Sequence, residues 1–133
     1  MIQRVCISGM HGLGDNLHQR AVIRHWMRTH EVWLETPWPS VYHDLVADGL
    51  KLAGKTSTLR TQRKNAEREA ASFHATQLPS GQSVRVCYPA EDVRRLGSVL
   101  AAMLTAAGCE GAEADFRLPI RPEWLAEADR LIA

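Results

Sequence analysis

The chain has 133 residues, 45% of them hydrophobic, and 16 Lys and Arg against 15 Asp and Glu, for a formal net charge of +1. That length suits one domain with its own core, and the near-neutral balance excludes binding to nucleic acid or to an anionic membrane by bulk charge. Cys6, Cys87 and Cys109 are an odd number without metal-ligand spacing, so they read as reduced thiols in a reducing compartment.

Residues 4–7 are mostly apolar and β-prone and read as a buried first strand. The strand runs into Gly9-Met10-His11-Gly12-Leu13-Gly14-Asp15, a turn whose glycines permit close approach of a ligand or another backbone. The spacing is G-x-x-G-x-G and not the dinucleotide fingerprint G-x-G-x-x-G. Asp15 or Asn16 is the expected cap of a helix over 16–29, with Leu17, Ala21, Val22, Ile23, Trp26 and Met27 on its apolar side. The opening run, broken by Gly9, is too short for a signal-peptide core, and no run approaches a membrane span.

Residues 31–35, E-V-W-L-E, form the second expected strand, which Pro37 and Pro39 end. Ser40 is the expected N-cap of a short helix containing residues 44–46, and Gly49 stops it. Residues 50–53 alternate as a third strand, and residues 60–73 read as a polar helix. Residues 83–88, S-V-R-V-C-Y, are the next strand, closed by Pro89. Residues 90–107 read as the longest helix, with Glu91 and Asp92 in its first turn, Leu96, Val99, Leu100, Met103 and Leu104 on its apolar face, and Gly108 as C-cap. Residues 119–133 read as a linker and one short helix. Alternating strands and helices predict a parallel sheet with helices on both faces, in which 5–8, 32–35 and 84–88 are buried central strands.

Gly49-Leu50-Lys51-Leu52-Ala53-Gly54-Lys55-Thr56 satisfies the phosphate-loop pattern G-x-x-x-x-G-K-T. In such a loop backbone amides cradle phosphates, Lys55 reaches them and Thr56 holds magnesium. The context argues for an accidental match, because the preceding stretch reads as an amphipathic helix and Leu50 and Leu52 look like strand residues.

Gly12-Leu13-Gly14-Asp15-Asn16-Leu17-His18 after the first strand, followed by Glu31-Val32-Trp33-Leu34-Glu35-Thr36-Pro37, resembles the start of the heptosyltransferase-like glycosyltransferases, GT-B enzymes of lipopolysaccharide inner-core synthesis. The likeness is carried by residues 4–45, with Leu59-Arg60-Thr61-Gln62-Arg63-Lys64-Asn65 and Phe116-Arg117-Leu118-Pro119 compatible with an outlying member. The resemblance implies a Rossmann-like N-terminal domain over 1–118, with 119–133 leading toward a C-terminal domain that binds the nucleotide-sugar and is absent from this chain. It implies an inverting sugar transfer from a nucleotide-sugar to a saccharide or lipid-linked acceptor. The chain is then either a fragment or a truncated relative, and activity is expected of the full-length protein and not of this segment alone. A cytoplasmic location follows, at the inner membrane face if the protein associates peripherally.

The resemblance places Asp15 as the catalytic base. His18, one turn later on the same helix, can share its rim. The acceptor is expected against Gly12, Leu13, Gly14, His11 and Asn16. Trp38 is expected to line a sugar site or join the core, and Arg60, Arg63 and Lys64 to hold an acceptor phosphate, partly offset by Glu67. No resident cofactor and no metal is expected, since the nucleotide-sugar is a co-substrate. Two other readings stay open: a non-catalytic α/β module for sugar phosphates or nucleotides, and a phosphate-loop nucleotide-binding protein.

Overall fold

The computed structural model describes residues 2–132. Its elements in chain order are β1 (Gln3–Ser8), α1 (Leu13–Met27), β2 (His30–Thr36), a 3-10 turn (Pro39–Tyr42) running into α2 (His43–Ala47), β3 (Lys51–Gly54), α3 (Arg60–Arg68), β4 (Gln82–Arg85), α4 (Ala90–Leu96), α5 (Val99–Ala106) and α6 (Pro122–Ile132). The four strands form one parallel sheet in the order β3-β2-β1-β4, flanked by helices in a Rossmann-like arrangement.

Period-two alternation sends Val5 and Ile7 of β1, Val32 and Leu34 of β2 and Leu52 of β3 into one core. They meet Ala21, Val22 and Ile23 of α1, Val41, Tyr42 and Leu45 around α2, and Met103 and Leu104 of α5. Each fully buried aliphatic side chain contributes about 1.5–3 kcal/mol, whereas an exposed ion pair contributes about 0–1 kcal/mol. This cluster, and not the surface charge pairs, therefore holds the domain together. The alternate residues Arg4, Cys6 and Ser8 lie on the opposite face. There the stretch before β4 crosses β1, with the Pro79 carbonyl accepting from Cys6 Sγ and the Ser80 carbonyl from Arg4.

Several boundaries differ from those read in the sequence. α1 starts at Leu13 with Gly12 as its N-cap, so neither Asp15 nor Asn16 caps it. Ser40 lies inside the 3-10 turn and caps nothing. The polar helix stops at Arg68 and gives way to a 3-10 turn over Ala70–Ser72. The long helix expected over 90–107 is two helices. Gly97 takes the left-handed conformation at φ +88°, and Ser98 Oγ accepts from Ala101 N–H at 3.0 Å to start α5. β4 is an edge strand whose residues are mostly exposed, not a buried central one, because β1 covers only one of its sides.

From β1 the chain steps outward to β2 and β3, then returns to the other side of β1 as β4. The strand order reverses there, and the crevice beyond the carboxyl ends of β1 and β4 is where open α/β sheets bind ligands.

Candidate functional site

The glycine turn at the exit of β1 is shaped from below by a buried polar network. Asn16, Gln19, Thr36 and Tyr42 are all fully buried. Asn16 Nδ2 donates to the carbonyls of Met10 at 2.9 Å and Gly12 at 2.7 Å, and Gln19 Oε1 accepts from Met10 N–H at 2.9 Å. Asn16 Oδ1 gathers donors from Thr36 Oγ1 at 2.7 Å and Gln19 Nε2 at 3.1 Å. The Tyr42 hydroxyl accepts from Gln19 Nε2 at 2.7 Å and shares its one proton between Asn16 Oδ1 and the Asn16 carbonyl. Burial pushes the Tyr42 phenol far above its ordinary range, so it stays neutral. Asn16 is thus spent on holding the turn and is not available to a ligand, which corrects the expectation for that residue.

Within the turn the glycines differ in purpose. A Cβ on Gly9 would sit 2.5 Å from the Glu35 carbonyl oxygen, so only glycine lets the turn cross the end of β2. A Cβ on Gly12 would meet Asp15 Oδ2 at 3.1 Å. Gly14 has nothing within 4 Å of its Cβ position, so nothing in the protein itself excludes a side chain there.

Asp15 lies in the first turn of α1, where the helix dipole favours a carboxylate. Its Oδ1 accepts from the Tyr88 hydroxyl at 2.8 Å. Tyr88 follows β4, so this bond spans the switch point between β1 and β4. The Asp15 carboxylate, together with some burial, raises the Tyr88 phenol above its ordinary value. Among the described residues Asp15 forms no ion pair. Asp15 is thus a half-buried carboxylate with one oxygen held by Tyr88.

His18 Nδ1–H donates to the Gly14 carbonyl at 3.0 Å, which leaves Nε2 as the acceptor of the neutral ring. Its ring stands edge-on to Phe116 at 5.3 Å. His11 turns toward β3, where Nε2–H donates to the Thr56 carbonyl at 3.0 Å. Trp38 Nε1–H donates to the His11 carbonyl at 2.7 Å, and its ring packs on the core, so the indole clamps the turn. His11, Thr56, Leu59 and Gln62 border a groove of about 380 Å³. Leu13 is exposed at the helix start. Arg60, Arg63 and Lys64 are exposed on α3, with Arg63 and Lys64 both reaching Glu67. The one carboxylate offsets part of their charge.

The G-x-x-x-x-G-K-T stretch does not form a phosphate loop. Its middle is β3, and Lys55 Nζ reaches Glu35 Oε1 at 2.8 Å instead of an anion-binding turn. Ser8 Oγ donates to the same oxygen at 2.7 Å, so Ser8, Glu35 and Lys55 link the exits of β1, β2 and β3. Sequence reading passed over Tyr88, Glu35 and Gln19. The first two stand at strand exits in a parallel sheet, which is the signal that identifies them. Gln19 had none, because a glutamine on an amphipathic helix reads as solvent-facing.

Among the described residues no cluster of three or more His, Cys, Asp or Glu side chains has a metal-binding arrangement, and no helix is long and apolar enough to cross a membrane. No protein-family model, curated protein or solved structure matches the chain. The α/β architecture with its carboxyl-end crevice is compatible with a nucleotide- or sugar-binding module in general.

Proposed function

We propose that the chain is the acceptor-binding half of an inverting GT-B glycosyltransferase of the heptosyltransferase-like kind, with Asp15 as general base. In that reaction the acceptor oxygen attacks the anomeric carbon of the sugar. The bond from that carbon to the nucleotide phosphate breaks, and the acceptor proton passes to Asp15 Oδ2. Residues 1–118 form the Rossmann-like domain, and 119–133 lead toward the domain that holds the nucleotide-sugar. The acceptor is a saccharide, free or lipid-linked.

The observation that carries this reading is the placement of Asp15: an unpaired carboxylate in the first turn of α1, at the switch point, with Tyr88 holding one oxygen. A second observation weighs against a closed binding module. α6 buries none of its residues, and Leu125, Leu131 and Ile132 of its apolar stripe are exposed.

Asp15→Asn in the full-length protein tests the proposal. The amide keeps an acceptor for Tyr88, so folding is retained, while the base is lost and turnover falls about a hundredfold to ten-thousandfold. Near-normal transfer at matched folding overturns Asp15 as base and turns attention to His18 Nε2. NMR titration of the 133-residue chain separates the binding-module reading. Acceptor saccharides are expected to shift the signals of Gly14, Asp15 and Tyr88, whereas saturable binding of nucleotide-sugar with no acceptor response favours the module.

A further inference from the structure

We infer that His74 is a pH-sensitive latch on the outer edge of β3. Leu52, in the middle of that strand, directs both its backbone groups away from β2. Its carbonyl accepts from His74 N–H at 2.8 Å, and its N–H donates to His74 Nδ1 at 2.9 Å. One residue therefore closes both halves of the edge position, with a ring nitrogen standing where a neighbouring strand would offer a carbonyl. The following residues extend the closure: Ala75 bridges Ala53 in parallel register, and Gly54 N–H donates to the Ala75 carbonyl at 3.3 Å. Leu52 is 1% exposed, so its amide has no ready access to water in exchange for a lost acceptor.

The acceptor is conditional. Nδ1 holds the Leu52 amide only through its lone pair, and a protonated imidazole carries hydrogen on both nitrogens and accepts at neither. Protonation sets N–H against N–H at a buried backbone group, which costs the bond and the desolvation of the donor. The ring itself is exposed, so protons reach it. The charged side chains on and just after β3 are two lysines, each with a carboxylate nearby. Lys55 and His74 line a common groove, but Glu35 pairs with the Lys55 ammonium. β2 presents the neutral ring of Trp33, edge-on at 6.4 Å, and α3 presents Ala66. Lys51, beside Leu52 on β3, is exposed and is attracted to Glu31.

Releasing the latch has a structural consequence. Phe73, His74, Ala75 and Thr76 form one wall of a groove of about 490 Å³ against Gly54, Lys55, Ala66 and Ala70. Loss of the ring bond frees the Leu52 amide and leaves that wall held to β3 only by the backbone bonds of His74, Ala75 and Gly54, which loosens an edge able to pair with another strand. The latch is independent of the sugar-transfer reading, since it requires no ligand and no step at Asp15.

Amide hydrogen exchange followed by NMR, expressed as protection relative to intrinsic rates, tests it in the intact chain. From about pH 8 to about pH 5, the range over which imidazole changes charge, protection of the Leu52 amide falls about tenfold or more while that of Leu34 in β2 holds. His74→Asn, whose side-chain carbonyl accepts at every pH in this range, removes the pH dependence. In the wild type the midpoint of the loss coincides with the titration of the His74 ring protons, a comparison that needs no variant. Unchanged Leu52 protection across the range overturns the proposal. So does an equal fall in His74→Asn, or a midpoint that follows a different histidine.

Discussion

Asp15 and Tyr88 form a contact that reports on itself. The hydrogen bond to Asp15 comes first among the causes that raise the Tyr88 phenol, with burial second. The bond contributes below the ordinary phenol range and is lost as pH rises through the Tyr88 ionisation. Removing the charge with Asp15→Asn brings that ionisation down toward its ordinary value. The chain has two tyrosines, and Tyr42 is fully buried and pushed far higher, so tyrosinate absorbance in a pH titration isolates Tyr88. An unshifted curve in Asp15→Asn means that the bond does not persist in solution. The glycines give a second expectation at this scale. Gly9→Ala meets backbone at 2.5 Å and is expected to cost more than about 3 kcal/mol in denaturant unfolding. Gly14→Ala meets nothing, relieves a helical glycine and is expected to stabilise by up to about 1 kcal/mol. If Gly14→Ala stabilises the fold but weakens acceptor binding, the glycine serves the ligand and not the helix.

Arg20 on α1 and Asp44 on α2 join two elements through charge. Arg20 is 4% exposed, and it donates from Nη1 to Asp44 Oδ1 at 2.8 Å, from Nη2 to Oδ2 at 2.7 Å, and from Nη1 to the Val41 carbonyl at 2.6 Å. Burial works to raise the Asp44 carboxyl, but the Arg20 hydrogen bonds and charge outweigh it and the carboxyl sits below its usual range. A depressed folded-state value means that the stabilisation is present above the unfolded carboxyl range and is lost as pH falls through the folded one. Asp44→Ala leaves a buried guanidinium without its partner and is expected to cost about 3 kcal/mol near neutral pH, with a smaller difference from wild type in acid. Equal losses at both pH values count against the ion pair as the cause. Little of this pairing was legible, because an arginine four residues past Asn16 reads as the polar side of a helix. The strands were far more legible. β1 and β2 show up as short apolar runs, Val5-Cys6-Ile7 and Val32-Trp33-Leu34, flanked by polar residues. The helix over 90–107 was misread for a local reason: Leu96, Val99, Leu100 and Met103 keep a helical spacing across Gly97-Ser98, and periodicity is blind to a turn that preserves the phase.

At the scale of the molecule, the order β3-β2-β1-β4 brings Asp15 and Tyr88 together across 73 positions of sequence. The glycine turn announced Asp15, but nothing near Tyr88 announced its partner, because strand order is a property of the assembled sheet. The same holds for His74, whose role appears only once β3 has an edge. α6 stands apart from these long-range ties. It meets the body through the Trp124 ring, edge-on to His43 at 5.4 Å, while Arg121 of its own segment covers the same indole at 5.7 Å and none of its residues is buried. One aromatic edge contact is worth about 0.5–1.5 kcal/mol, and the sheet core does not pass through this helix. Deleting residues 119–133 is therefore expected to leave the parallel sheet intact and to lower Tm by no more than about 5 °C in calorimetry. The near-ultraviolet circular dichroism of the remaining three tryptophans, Trp26, Trp33 and Trp38, should persist, since their packing lies within the body. Loss of cooperative unfolding on this deletion would mean that α6 completes the core. The apolar stripe of Leu125, Leu131 and Ile132 would then be a folding element instead of a free surface.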